Sequence, residues 1–317
     1  MKRIVGVMAL ALAVVLGASV DRVAELPPRP IRIIVPFAPG TSGDRVTRLV
    51  AAELRTSLGQ AVTVENQSGA TGRVGVSSLA RAPADGYVIG MGNESTHVTL
   101  PLLKAHTAYD PERDFTPLTL VARVTMAVAV NPDLLPVQSL PELVALARKR
   151  TISFGSPGDG SPQHLIGMLL AQRTGGHFEH VPLPGAAATA LEVAEARVPM
   201  AVTTLAALQA HPGKVRILAI ADGARRDALP DVPTLSETWP DLVVTGWLAY
   251  FAPAGVPEPA ATRLASALQA ALRKPQLVAA LRAQALEPVG SSAQELRDLV
   301  RSGLQAWRSQ VGAAAAE

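Results

Sequence analysis

The sequence predicts an α/β protein of two lobes joined by two crossing strands, and three observations point there. Short apolar strand patterns alternate with helical patterns from Ile31 to Met91, and again from Ile152 to Ile220. From Pro259 onward the chain reads as helix after helix, with no complete sheet of its own, so this tail should return to the first unit. With 26 prolines, 25 glycines and 48% apolar residues, the composition suits many short elements and tight loops rather than disorder. The expected division is a leader at 1–26, a first lobe at 27–125 and 251–317, and a second lobe at 126–250.

In the first lobe, Ile31 to Val35 is a largely apolar strand. Asp44 to Leu58 follows as a helix with Val46, Leu49, Val50 and Leu54 on one face, and Gly59 ends it. Ala61 to Glu65 is a second strand, Asn66 to Gly75 a glycine-rich turn into a short helix through Ala80, and Tyr87 to Met91 a third strand. This β-α-β-α-β series implies parallel pairing. Val124 to Val130 is an apolar strand and the first expected crossing. Leu140 to Arg150 is a helix with Ser139 as N-cap and Pro141 in its first turn. Strands follow at Ile152 to Phe154, Glu179 to Val181, Met200 to Val202 and Val215 to Ile220, with Pro162 opening a helix through Arg173. Leu242 to Phe251 is the second crossing, and helices run from Pro259 to Leu272, Pro275 to Leu286 and Ser292 to about Val311. Two lobes joined in this way enclose a cleft that can hinge.

Met1 to Val20 reads as a secretory signal: basic Lys2 and Arg3, an apolar run from Ile4 to Leu16, then small Gly17, Ala18 and Ser19. Cleavage falls between about residue 18 and residue 26. The rival reading is an uncleaved anchor, for which the run is short of the ~20 residues a span needs. The chain has no cysteine, which excludes disulfides, thiolate metal sites, a cysteine nucleophile and a lipidated N-terminal Cys. The formal charge of +3 drops to about +1 without Lys2 and Arg3. Scattered basic residues and 3% aromatics give no surface for nucleic acid.

Two strand-to-turn-to-helix junctions carry the chemistry. The turn of Phe37, Ala38, Pro39, Gly40, Thr41, Ser42 and Gly43 presents backbone N–H groups, and Asp44 starts the helix. Gly155 to Ser161 repeats the arrangement, with Ser156, Gly158 and Gly160 in the turn, Ser161 as N-cap and His164 in the first helical turn. A helix start gathers unpaired N–H groups and a positive dipole end, and so favours an anion. Asp44 is open to three roles: cap, general base or ligand contact. Ser95, Thr96 and His97 follow the third strand, where open α/β sheets place ligand sites, or else form a structural turn. His177 and His180 flank a strand-like Phe178-Glu179, so they do not face one metal, and no metal or cofactor is expected. The zinc His-Glu-x-x-His, the Gly-x-Ser-x-Gly elbow and the phosphate loop are absent from the sequence.

These residues resemble the Bug-type (TctC-like) receptors, periplasmic solute-binding proteins of tripartite tricarboxylate transporters. The resemblance runs through Val35-Pro-Phe-Ala-Pro-Gly40 with Asp44, Leu58 to Asn66, Gly69-Ala-Thr-Gly72, Ala84-Asp-Gly-Tyr87 and Tyr109 to Pro117. It continues in Gly155 to Leu165, His180-Val-Pro182, Leu229 to Thr234, Trp247 and Ala252 to Pro257. It implies a two-lobed, type II-like periplasmic-binding-protein fold that closes on a small organic carboxylate, with Phe37–Asp44 and Ser156–His164 holding it. It also implies membrane transporter subunits as partners and a periplasmic monomer. The chain departs from the pattern at Thr41, where a second glycine is usual, and at Leu183-Pro184-Gly185, where Tyr-Lys-Gly is usual. Pro199 likewise replaces the aspartate of a usual Gly-x-Val-Asp. A Cβ at Thr41 is expected to limit positive φ and narrow the turn, with Gly43 restoring some freedom. The other changes allow a less polar ligand. Two rivals remain: a receptor signalling to a membrane sensor, and an exported enzyme using Asp44 with His97 or His164.

Overall fold

The computed structural model describes residues 29–103 and 108–314, so the leader reading falls outside the described residues. The first part of the chain holds β1 (Ile31–Val35), α1 (Ser42–Leu58), β2 (Val62–Asn66), a 3-10 turn (Ala70–Gly72), α2 (Arg73–Ala80) and β3 (Val88–Asn93). A π-helical turn (Ser95–Thr99), α3 (Leu100–Leu103) and β4 (Phe115–Val124) follow. The middle holds β5 (Met126–Val130), α4 (Leu140–Ala147), β6 (Ile152–Ser156), α5 (Pro162–Thr174), β7 (Phe178–Pro182), α6 (Ala186–Ala194), β8 (Met200–Thr204), α7 (Leu205–Gln209) and β9 (Arg216–Ile220). Then come β10 (Gly246–Pro253), α8 (Glu258–Leu272), α9 (Pro275–Arg282), β11 (Leu286–Pro288) and α10 (Ala293–Ala314).

Two sheets result, one for each lobe. The first has the order β11-β4-β10-β3-β1-β2, the second β7-β6-β8-β5-β9. β1 pairs parallel with β2 and β3, as a crossover series demands, while β10 runs antiparallel between β3 and β4. All eight residues of β10 are buried, which fits a central strand covered on both faces. Helix α1 lays Val46, Val50, Ala51 and Leu54 on the first sheet's core, joined there by Leu264 and Leu268 of α8. A second cluster runs without a break from Val98, Trp247 and Trp307 to Val128, Leu165 and Leu242, so the lobes share buried apolar surface.

The crossings differ from the sequence reading in instructive ways. The run from Val124 to Val130 is two strands in two sheets, and the chain changes sheet at Thr125. That residue is 2% exposed and its hydroxyl donates to Asp222 Oδ2 at 2.8 Å, which pins the passage. The sequence reading missed β4 because Pro117, Thr119 and Arg123 break its apolar pattern. Pro117 has no N–H to give, and it sits opposite Phe251 where the β4–β10 register shifts. The strand expected over 242–251 is Gly246–Pro253, paired wholly within the first sheet, so a division at residue 251 falls inside it. Leu242 and Val244 are buried in the approach to that strand, which is why they read as part of it. Among the described residues no helix is long and apolar enough to cross a membrane.

Candidate functional site

The first turn is held by Asp44, and not as a cap. Thr41 is the N-cap: its Oγ1 accepts from the Asp44 N–H at 3.4 Å and donates to the Ala38 carbonyl at 2.8 Å. Asp44 is the third residue of α1 and is 2% exposed. It reaches back to accept from the Gly40 N–H at 2.8 Å and from Asn66 Nδ2 at 2.9 Å. Arg48 grips the same carboxylate with Nε at 3.1 Å and its second guanidinium arm at 2.9 Å. Burial alone would raise the Asp44 carboxyl, but Arg48, Gly40 and Asn66 outweigh it and hold the group below its ordinary range. With its lone pairs so engaged, Asp44 is neither a general base nor a free ligand contact. It takes one of the donors that the sequence assigned to an anion, the Gly40 N–H. Gly40 itself needs the left-handed region (φ 80°) that a side chain resists. Thr41 has φ −68°, so its Cβ costs the turn no conformation and Gly43 has none to restore. What the turn leaves for a ligand is the start of α1 and the Ser42 hydroxyl, a buried oxygen with no partner.

The second turn repeats this construction with different chemistry. Ser161 caps α5, accepting from the His164 N–H at 3.1 Å, and Gly160 (φ 73°) donates its N–H to His164 Nδ1 at 3.2 Å. The spacing glycine, hydroxyl cap, third helical residue is thus shared, with His164 in place of Asp44. Strand pairing Phe154↔His180 brings in a residue that the sequence reading weighed as a metal ligand and left out of the site. His180 Nε2 lies 2.7 Å from Ser156 Oγ, its Nδ1 lies 3.2 Å from Asp159 Oδ1, and its ring stacks on His164 at 3.9 Å. Burial, and for His164 the neighbouring His180, lowers both imidazole pKa values, while Asp159 pulls against this. Both rings are therefore neutral near pH 7, as the Gly160 N–H requires of His164 Nδ1.

Ser156, His180 and Asp159 form a serine–histidine–carboxylate chain, but Ser156 is 0% exposed and its hydroxyl faces His180, Ser161 and the Gly158 carbonyl. A nucleophile must meet its substrate, and this oxygen is walled in. Asp159, His164 and His180 also offer ligand atoms within 4.8 Å of one another. Imidazole lone pairs lie in the ring plane, so two rings stacked at 3.9 Å and 17° do not aim at one ion.

The residues after β3 divide. Thr96 and His97 are both 0% exposed and are withdrawn from any ligand. Thr96 closes a turn with Asn93, whose N–H donates to its Oγ1 at 3.0 Å. His97 stacks on Phe251 at 4.0 Å and 11°, with Phe115 at 4.9 Å, and burial pushes its pKa down to about 3. That removes it as an acid–base partner for Asp44. Ser95 is half-buried and its side chain stays available. Leu183, at one of the departures, donates its N–H to the Ser156 carbonyl at 2.9 Å, so an apolar residue stands beside the second turn.

Residues 46–314 match the family described as the tripartite tricarboxylate transporter family receptor. Protein BugT of Bordetella pertussis is 31% identical over 317 residues, covering 98% of this chain and 97% of that protein. The periplasmic binding protein BugD superposes with a TM-score of 0.81 at 30% identity, over 92% of this chain and 99% of that one. A protein of R. palustris solved with adipate gives 0.81 at 33% identity, over 89% and 96%. MatC from Rhodopseudomonas palustris, solved with bound malate, gives 0.79 at 28% identity, over 89% and 99%. The two lobes and the matching sequence together establish that this chain belongs to the tripartite tricarboxylate transporter receptor family.

Proposed function

We propose that this protein is a periplasmic receptor that captures a small organic carboxylate between its two helix-start turns and hands it to the membrane subunits of a tripartite tricarboxylate transporter. The observation that carries the reading is the matched pair of turns, Phe37–Asp44 on the first lobe and Ser156–His164 on the second. Each ends in a hydroxyl cap at the start of a long helix. We take the lobes to part at Thr125 and again before Gly246. Adipate and malate in the related structures support a dicarboxylate. The backbone N–H groups of Ser42 and Gly43 at the start of α1, the Ser42 hydroxyl and Ser95 would hold one end. The Gln163 N–H at the start of α5, with Gly158, Ser161 and His164, would hold the other. Leu183 favours a ligand with an apolar stretch between its charges. Closure around the ligand makes the surface the transporter reads. The leader at 1–26 supports export to the periplasm.

Calorimetry of the folded protein against adipate, malate, citrate and aromatic carboxylates tests the reading. Binding of at least one, without turnover, is expected. Silence across the panel would overturn it, and conversion of a bound acid would favour the enzyme reading instead.

A further inference from the structure

A cavity of about 300 Å³ lies at the junction of the lobes, and no residue of either turn lines it. Glu94 reaches it from the end of β3, Arg123 from β4, Leu165 from α5, Trp247 from β10 and Trp307 from α10. Glu94 is 9% exposed; its Oε1 accepts from Trp307 Nε1 at 3.1 Å, and its Oε2 is buried with no partner. A carboxylate oxygen sealed from water without a donor is costly, and burial pushes this carboxyl up to about 7. A cation brought into the cavity would relieve that cost. Arg123 is exposed and makes no ion pair or side-chain hydrogen bond among the described residues. The cavity therefore offers a carboxyl oxygen without a partner and an unmatched cation, with two tryptophans, Leu165 and Val98 among its apolar lining.

We propose that this cavity binds a small zwitterion, an α-amino acid with an apolar side chain, its ammonium on Glu94 and its carboxylate on Arg123. With the Glu94 carboxylate turned so that its sealed Oε2 faces the cavity, such a ligand satisfies that oxygen, gives Arg123 a bidentate partner and buries its side chain against the indoles. Because Leu165 belongs to the second lobe and Glu94 to the first, the occupant touches both. The lining of this site shares no residue with the carboxylate cradle.

Calorimetry of the full chain with L-leucine and L-valine, and with the one-ended analogues isopentylamine and 4-methylpentanoate, tests it. At least one amino acid binds, and for L-leucine loss of either charged end weakens binding at least tenfold. Glu94→Gln keeps an oxygen for Trp307 and should weaken amino-acid binding at least tenfold. Arg123→Gln, on an exposed side chain that leaves the core intact, should do the same. Dicarboxylate binding should persist in both variants. The proposal fails if neither amino acid binds the wild-type protein, or if affinity survives both substitutions. It also fails if isopentylamine matches leucine, or if a dicarboxylate competes leucine away.

Discussion

The two turns share one frame and differ in the group that locks it. On the first lobe Asp44 closes the turn as a buried carboxylate; on the second, neutral His164 does so through an N–H···N bond. A charge at the third position of a helix works on the same dipole that would hold a ligand. Asp44 already occupies the positive end of α1, whereas His164 leaves the start of α5 without a charge. The second turn is therefore free of a competing charge, though Pro162 and the Ser161 cap leave it fewer N–H donors, and the first serves as a rigid, hydroxyl-bearing wall. Asp159 beside the second turn opposes an anion only weakly, since 80% of that side chain faces water.

Removing the lock from the first turn should have the largest effect. Asp44→Ala strands the Gly40 N–H, the Asn66 amide and the Arg48 guanidinium together. Loss of a buried, hydrogen-bonded charge costs about 3 kcal/mol, readable in urea unfolding, and carboxylate binding should be lost with the turn. Asp44→Asn keeps the acceptor and discards the charge. It should lose less stability and hold a carboxylate as tightly as before or better. If the asparagine variant is folded yet does not bind, Asp44 meets the ligand and the contrast between the lobes is broken.

Importing the first lobe's chemistry into the second gives the next largest effect. His164→Asp places a carboxylate where the ligand's own would sit, and affinity should fall about tenfold or more, some 1.4 kcal/mol. Stability should change little, because an aspartate there accepts from Gly160 as Asp44 does from Gly40. Unchanged affinity would mean that the ligand lies elsewhere.

Acid should separate the turns. A histidine whose pKa is lowered by folding contributes stability above its ordinary 6.5 that is lost as pH falls toward the folded value, since the unfolded chain takes up the proton first. Asp44, also lowered, keeps its contribution until pH drops below its ordinary 3.8. Acidification should thus expose the Gly160 amide to hydrogen exchange before the Gly40 amide. His97, neutral down to about 3, weakens the whole first lobe over the same range. It must be replaced by Phe in the comparison. Loss of Gly40 protection first would reverse the assignment of the two locks.

Much of this frame was legible in the sequence, and the reason is local. Hydroxyl caps, glycine breaks and a 3.6-residue apolar period act within a few residues, so α1, α5 and both turns stand near where the sequence puts them. What was hidden depends on pairing across long distances. His180 became a partner of Ser156 only when β7 lay beside β6, and β4 became a strand because β10 and β11 flank it. Thr96 and His97 looked like a ligand edge because they follow a strand end. Burial under Phe115 and Phe251, far along the chain, withdraws them. The Glu94 cavity draws on segments scattered from Glu94 to Trp307 and leaves no sequence pattern at all.

The smallest effect is expected at Thr41, one of the departures from the pattern of the resemblance. At φ −68° and ψ 163° its backbone lies in ordinary extended space, so a glycine gains the turn no conformation it lacks. Thr41→Gly loses the hydroxyl cap to the Asp44 N–H, and a Gly cap falls only a few tenths of a kcal/mol short. The lost bond to the Ala38 carbonyl and the freer unfolded chain add to this, for about 1 kcal/mol in all. Because the hydroxyl is turned to Ala38 and Asp44, carboxylate affinity should stay within about threefold. Calorimetry on this variant sharpens the contrast between the lobes at its finest point. A tenfold change would show that the Thr41 methyl or hydroxyl touches the ligand, and the first turn would then select what the second turn holds.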